Sequence, residues 1–235
     1  MIVTTHSRFI QKPVESFLCD AVDACHALND GIDVYPACEY LYQSSLLRMT
    51  GAQEQKLRCI CWDVSTYDYN LRYRYMQMAG TLGQYSSYEN KKTIFDLLIG
   101  DNTSIFSENW KTSAVEEIKT RLNEIVMNSV FKDWKPRMYA EYKRYVRLLN
   151  NDSFCHENQM LLSPLLDIYR CLYDERNRYA HNMYSYQENL PTLRLLSDKN
   201  GHYHNYFMWF ALLMLLDRVY IHLYKITMKR IELLE

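Results

Sequence analysis

Apolar positions in this chain recur at steps of three and four residues almost from end to end, the spacing that places side chains on one face of an α-helix. Alternation with a period of two, the mark of a half-buried strand, is nearly absent. The pattern predicts an all-α protein, divided by Pro, Gly and capping residues. A first helix is expected from about Pro13 to Ala27, stopping at the Asn-Asp-Gly of 29–31. A second starts near Pro36 and reaches about Met78, with Thr50-Gly51 as a point of interruption. The Gly- and Ser-rich stretch 80–90 reads as a loop, and a short helix from Lys91 to Ile99 follows, ended by Gly100-Asp101. Ser113 and Glu116 form a capping box that opens a helix to about Phe131, with 107–112 as its backward extension. Pro136 suits the first turn of a helix reaching about Leu149. Ser163-Pro164 either caps the next helix or kinks a longer one begun near Ser153. Residues 185–201 are polar loop, and a last helix runs from about Tyr203 to Leu233.

Composition narrows the class. With 235 residues, 48% hydrophobic and 23% charged, and no linker or internal repeat, the chain is expected to form one domain. Lys plus Arg number 27 against 28 Asp plus Glu, so no bulk charge advertises nucleic acid and an anion site must be local. The seven cysteines lack the dense regular spacing of a secreted disulfide framework and read as reduced thiols. The start, MIVTTHSRFIQKPVESF, has no basic segment leading into an apolar core. The longest apolar run, Tyr206 to Leu216, is shorter than the roughly 20 residues that cross a bilayer. A cytoplasmic location without membrane attachment is expected.

The chemistry concentrates in YDERNRYAHNMYS, residues 173–185. Leu165, Tyr169, Leu172, Arg176, Tyr179 and Met183 make one helical stripe, so a guanidinium lies inside an apolar face. Arg170, Asp174 and Arg178 form a separate ladder that reads as an exposed ion-pair face. A buried guanidinium without a partner costs several kcal/mol, so the stripe must meet a carboxylate or a polar interface at Arg176. Asn177 and His181 share a face, where the amide can hold the imidazole in one tautomer. Arg176 and His181, five apart, stand about 140° from each other on an ideal helix. Either the helix loosens near His181, or a second copy completes the site. A two-fold axis through the stripe would place two arginines and two histidines around one groove.

Arg176, Asn177 and His181, with four residues between the arginine and the histidine, resemble the motif of the HEPN family, compact helical proteins with an arginine, a polar residue that is often Asn, and a histidine. The resemblance covers about 110–235; about 1–100 is an N-terminal helical portion of unassigned role. It implies a HEPN-like bundle with extra N-terminal helices, forming a homodimer or higher even oligomer. It also implies a metal-independent endoribonuclease of toxin or antiphage systems, with RNA as substrate, no cofactor, and an antitoxin or sensor protein as a further partner. Inactive members serve as binding or scaffold subunits. In HEPN toxins paired with a minimal nucleotidyltransferase, the modified tyrosine lies two residues after the histidine; here Tyr184 lies three after.

Those residue types suit the reaction. An imidazole titrating near neutrality can move the proton of the attacking 2'-hydroxyl or of the leaving 5'-oxygen, which assigns proton transfer to His181. A planar guanidinium stabilises the charge gathered on phosphorus, which assigns Arg176, with Asn177 orienting His181 or holding a phosphate oxygen. Products would carry 2',3'-cyclic phosphates. Such catalysis is incompatible with an Arg176 locked to an acid of its own subunit while the imidazole faces solvent. Arg178, Tyr184, His202 and His204 are further candidates for RNA contact, as are Arg72 and Arg74 within YDYNLRYRYM, residues 67–76. There Trp62, Thr66, Tyr69, Tyr73 and Met76 share a stripe, which predicts core. His202 and His204, with Cys155, His156, Cys59 and Cys61, match no structural zinc spacing, so no metal is expected.

Overall fold

A computed structural model describes residues 4–25, 35–77, 85–100, 105–127, 129–156, 159–181 and 203–233, and for 35, 36 and 181 only the backbone. Its axis is a helix that is apolar on every side. Asn205 caps it, its side chain accepting from the Phe207 and Met208 amides at 3.0 and 3.2 Å while donating to the Met138 carbonyl at 2.7 Å. From Tyr206 to Asp217 every residue is buried. This helix, Tyr206–Glu232, is long and apolar enough to cross a membrane, yet 89% of its apolar stretch is covered by the rest of the chain. A helix hydrophobic all round belongs in a core, and here its neighbours supply the cover.

Those neighbours, in chain order, are α1 (Ser7–Gln11), α2 (Glu15–Ala24), α3 (Tyr35–Tyr67), α4 (Tyr69–Gln77), α5 (Tyr88–Ile99), α6 (Glu108–Met127), α7 (Phe131–Trp134), α8 (Pro136–Tyr145) and α9 (Leu165–His181), which makes the axial helix α10. Helices α3, α5, α6, α8 and α9 all pack directly on α10, and α3 also packs on α9. The protein is mostly helical, as the apolar periodicity predicts.

Several boundaries differ from or refine the expectation. Helix α3 runs unbroken through Thr50-Gly51, where Thr50 Oγ1 donates to the Leu46 carbonyl at 2.9 Å and Gly51 has open space beside it. The break falls instead at Asp68, whose carboxylate accepts from the Leu71 amide at 2.9 Å and restarts the chain as α4. Helix α6 takes the backward extension anticipated for 107–112: Ser107 caps it, accepting from the Trp110 amide at 3.3 Å, and Ser113 lies inside it. Between 3-10 turns and α9, Phe154–His156 and Gln159–Leu161 pair as a small antiparallel hairpin, where a helix begun near Ser153 was one expectation. Two three-residue strands are too short to show a period in sequence.

One packing expectation is overturned. Trp62, Tyr69, Tyr73 and Met76 are exposed rather than core, Trp62 to 69%. They do share one stripe, but it is the outer one: the inner face runs through Cys61, Val64 and Leu71, and the i→i−4 bonds from the Asp68 amide to Val64 and from the Arg72 amide to Asp68 keep that face continuous across the break.

Candidate functional site

Helix α9 earns its position from its own pattern. Leu165, Ile168, Tyr169, Leu172, Tyr173 and Tyr179 are buried, while Arg170, Asp174, Asn177 and Ala180 face water. The stripe is therefore satisfied within one chain, against α3 and α10, and needs no second copy to explain its burial.

Arg176 meets a carboxylate at that level. Its Nη2 lies 3.3 and 3.4 Å from the two oxygens of Glu54 on α3, with the side chains 21% and 15% exposed. Nη1 donates to Asn177 Oδ1 at 3.1 Å, and Nε is buried with no hydrogen-bond partner among the described residues. Asn177 is exposed, and its carbonyl is committed to the arginine next to it rather than offered to His181. One half of the disqualifying arrangement is thus present: the guanidinium is held by an acid of its own subunit. The other half concerns the His181 imidazole, which lies outside the described residues.

Beneath the pair sits Lys91 of α5, fully buried. Its ammonium donates to the Tyr173 hydroxyl and, at 3.4 Å, to Gln53, and it stands 4.2 Å from the centre of the Tyr173 ring. Loss of hydration is the main reason its pKa falls to about 7; the Arg176 charge lowers it further and Glu54 opposes. Burial likewise pushes the Tyr173 phenol far up, with Glu54 adding to it, so that hydroxyl stays protonated. Glu54 and Arg176 offset each other, so the net charge of the cluster follows the protonation of Lys91.

Other candidates divide. Arg178 does not belong to an exposed ladder with Asp174: it is half-buried, bound to Glu175 one turn back, and lies against the Tyr179 ring at 5.6 Å. Arg170 pairs with Asp167 at 3.5 Å instead of Asp174. The reason is packing, since Glu175 is buried and draws the nearer cation inward. His204 is no free RNA contact either, with a ring nitrogen 3.2 Å from Cys171 Sγ and Nδ1 3.9 Å from Glu175. Arg72 and Arg74 are exposed on α4. Tyr184 and His202 lie outside the described residues. Among the described residues no three His, Cys, Asp or Glu side chains gather as metal donors.

The chain matches no protein-family model, no curated protein and no solved structure. Its chemistry must therefore be judged from these groups alone.

Sequence reasoning demanded a partner for Arg176 but could not name Glu54, which is 122 residues away. Lys91 was also missed, since it opens a polar stretch and nothing local marks it as buried. Chemically, the arrangement offers a largely buried guanidinium, 21% exposed, whose acidic partner a ligand could replace. A phosphate oxygen reaching its Nη edge competes with the Glu54 carboxylate.

The backbone adds a constraint on His181. Helix α9 stays helical through that residue, so no loosening reduces the angle of about 140° separating it from Arg176.

Proposed function

We propose that the chain is a HEPN-type, metal-independent endoribonuclease that works as a homodimer in toxin or antiphage defence. The observation that carries this is the helical backbone of α9 through His181. Arg176 and His181 stand about 140° apart on one helix, so a single copy does not easily bring them to one phosphate. Two copies can, by facing the C-terminal turns of α9 across a two-fold axis. Arg176 then stabilises charge on phosphorus, His181 transfers the proton, and Asn177 fixes the guanidinium by accepting from its Nη1. Glu54 neutralises Arg176 until a strand arrives, and the phosphate takes its place.

A second reading, an inactive HEPN-like dimer that scaffolds a larger complex, is favoured by the Arg176–Glu54 pair itself, which can serve as a structural contact within one subunit. The two separate on incubation of the purified protein with transfer and messenger RNA in EDTA, followed by mapping of the cut ends. Cleavage leaving 2',3'-cyclic phosphates, lost in Arg176→Ala and in His181→Ala while the mass stays dimeric, supports the nuclease. Intact RNA, or equal cleavage by either variant, rejects it. A monomeric mass removes the composite site altogether.

A further inference from the structure

The exposed stripe through Trp62, Thr66 and Met76 borders a cleft that the expectation of a core stripe concealed. Between the last turns of α3, α4 and Tyr85 lies a hollow of about 540 Å³, within the range of small-molecule pockets. Its wall is aromatic and soft: the Trp62 ring, Met76, and the Tyr75 and Tyr85 rings, whose hydroxyls meet at 2.5 Å. Two guanidiniums, Arg58 and Arg72, line it, and among the described residues no carboxylate does. Arg58 lies over the Tyr85 ring, 5.2 Å from its centre, at cation–π distance. The Cys61 thiol at the floor is neutral, its pKa pushed up to about 12 by burial, and it supplies neither nucleophile nor metal ligand. The cleft thus offers stacking faces beside fixed positive charge, which is what a base joined to a phosphate requires.

Its place on α3 relates it to the first site. Glu54, Arg58 and Trp62 are spaced four apart and share one face, with Arg58 about 6 Å and Trp62 about 12 Å along the axis from Glu54. A strand whose phosphate replaces Glu54 on Arg176 would pass Arg58 next and then reach Trp62.

We propose that this cleft is a nucleobase-stacking subsite for single-stranded RNA, in which Trp62 stacks on one base while Arg58 and Arg72 hold the adjoining phosphates. The proposal rests on the chain's acting on RNA, and strand affinity is measured apart from cleavage so that the two fail separately. Trp62 and Arg72 are exposed, and replacing them opens no cavity in the core.

The test uses the full chain and a fluorescently labelled 2'-deoxythymidine oligonucleotide, which cannot be cut. Anisotropy gives the affinity, and tryptophan emission reports stacking on Trp62. Expected are saturable quenching and an affinity weakened about tenfold or more in Trp62→Ala. Arg72→Ala should weaken binding and lower the salt slope by about one. An abasic strand and a duplex should bind weakly without quenching. Equal affinities of wild type and Trp62→Ala, or equal binding of the abasic strand, would overturn the subsite, whatever the RNA cleavage assay gives. So would a dimer that dissociates in Trp62→Ala at unchanged strand affinity, which would assign the rings to contact between copies. Strand binding as expected together with intact RNA keeps the subsite and removes the nuclease.

Discussion

Two ion pairs leave the same stretch of α3, two residues apart, and they are built differently. Lys56 and Asp217 are 3% and 2% exposed, and the ammonium reaches both carboxylate oxygens at 2.7 and 2.9 Å. The Val14 amide donates to the same carboxylate at 3.0 Å, and Lys56 also donates to the Lys12 carbonyl. Every strong donor and acceptor there is used. Glu54 and Arg176 are farther apart, partly in water, and leave one guanidinium nitrogen unpartnered. A sealed pair holds α2, α3 and α10 in place; a loose one with a spare edge can exchange its carboxylate for a ligand. Position on the helix decides which is which: residue 56 faces α10, whereas residue 54 faces α9 near the surface.

That contrast can be broken at several points. The largest effect is expected at the sealed pair. Asp217→Ala leaves a buried ammonium and a buried amide without their partner, and should cost about 3–5 kcal/mol in urea unfolding. Lys56→Met combined with Asp217→Leu should recover much of that loss, since an apolar pair of similar volume avoids desolvation.

Next comes pH. Lys91 has a folded pKa of about 7 against an ordinary 10.5, so between those values the unfolded chain binds more protons. Stability from this group is complete above 10.5 and is lost as pH falls toward 7. Relative to Lys91→Met, the wild type should gain stability across that window with a slope of at most about 1.4 kcal/mol per pH unit. Parallel stability profiles for the two proteins would show that the amine is not held in an apolar site.

Glu54→Gln should cost less, about 1–2 kcal/mol, because its pair is partly hydrated and an amide still accepts from Arg176. A loss as large as that of Asp217→Ala in the same urea titration would erase the contrast. The smallest change has the opposite sign: Gly51→Ala, in open space on a continuous helix, should stabilise by about 0.5–1 kcal/mol and leave both pairs unaltered.

How much of this could be read from the chain depends on the range of the interaction. The helical class, the axial Tyr206–Glu232 helix and the stripe on α9 follow from local periodicity, which sequence displays directly. The need for a carboxylate or a polar interface opposite Arg176 also followed, from the cost of burying a charge. Its identity did not, because nothing local to α9 distinguishes Glu54 from the other acids. The exposed rings of 62–76 were misplaced because aromatic spacing marks a stripe without saying which face it is, and here Cys61, Val64 and Leu71 take the inner one. The sealed Lys56–Asp217 pair went unnoticed for the same reason as Glu54: its halves are 161 residues apart.

The most direct test asks whether Glu54 and a nucleic-acid phosphate compete for Arg176. Binding of an uncleavable 2'-deoxy strand should tighten several-fold in Glu54→Gln and weaken in Arg176→Ala, with the double variant no tighter than Arg176→Ala alone. Affinity unchanged by Glu54→Gln would mean that the carboxylate only props the helix, and the exchangeable guanidinium on which the nuclease depends would be gone.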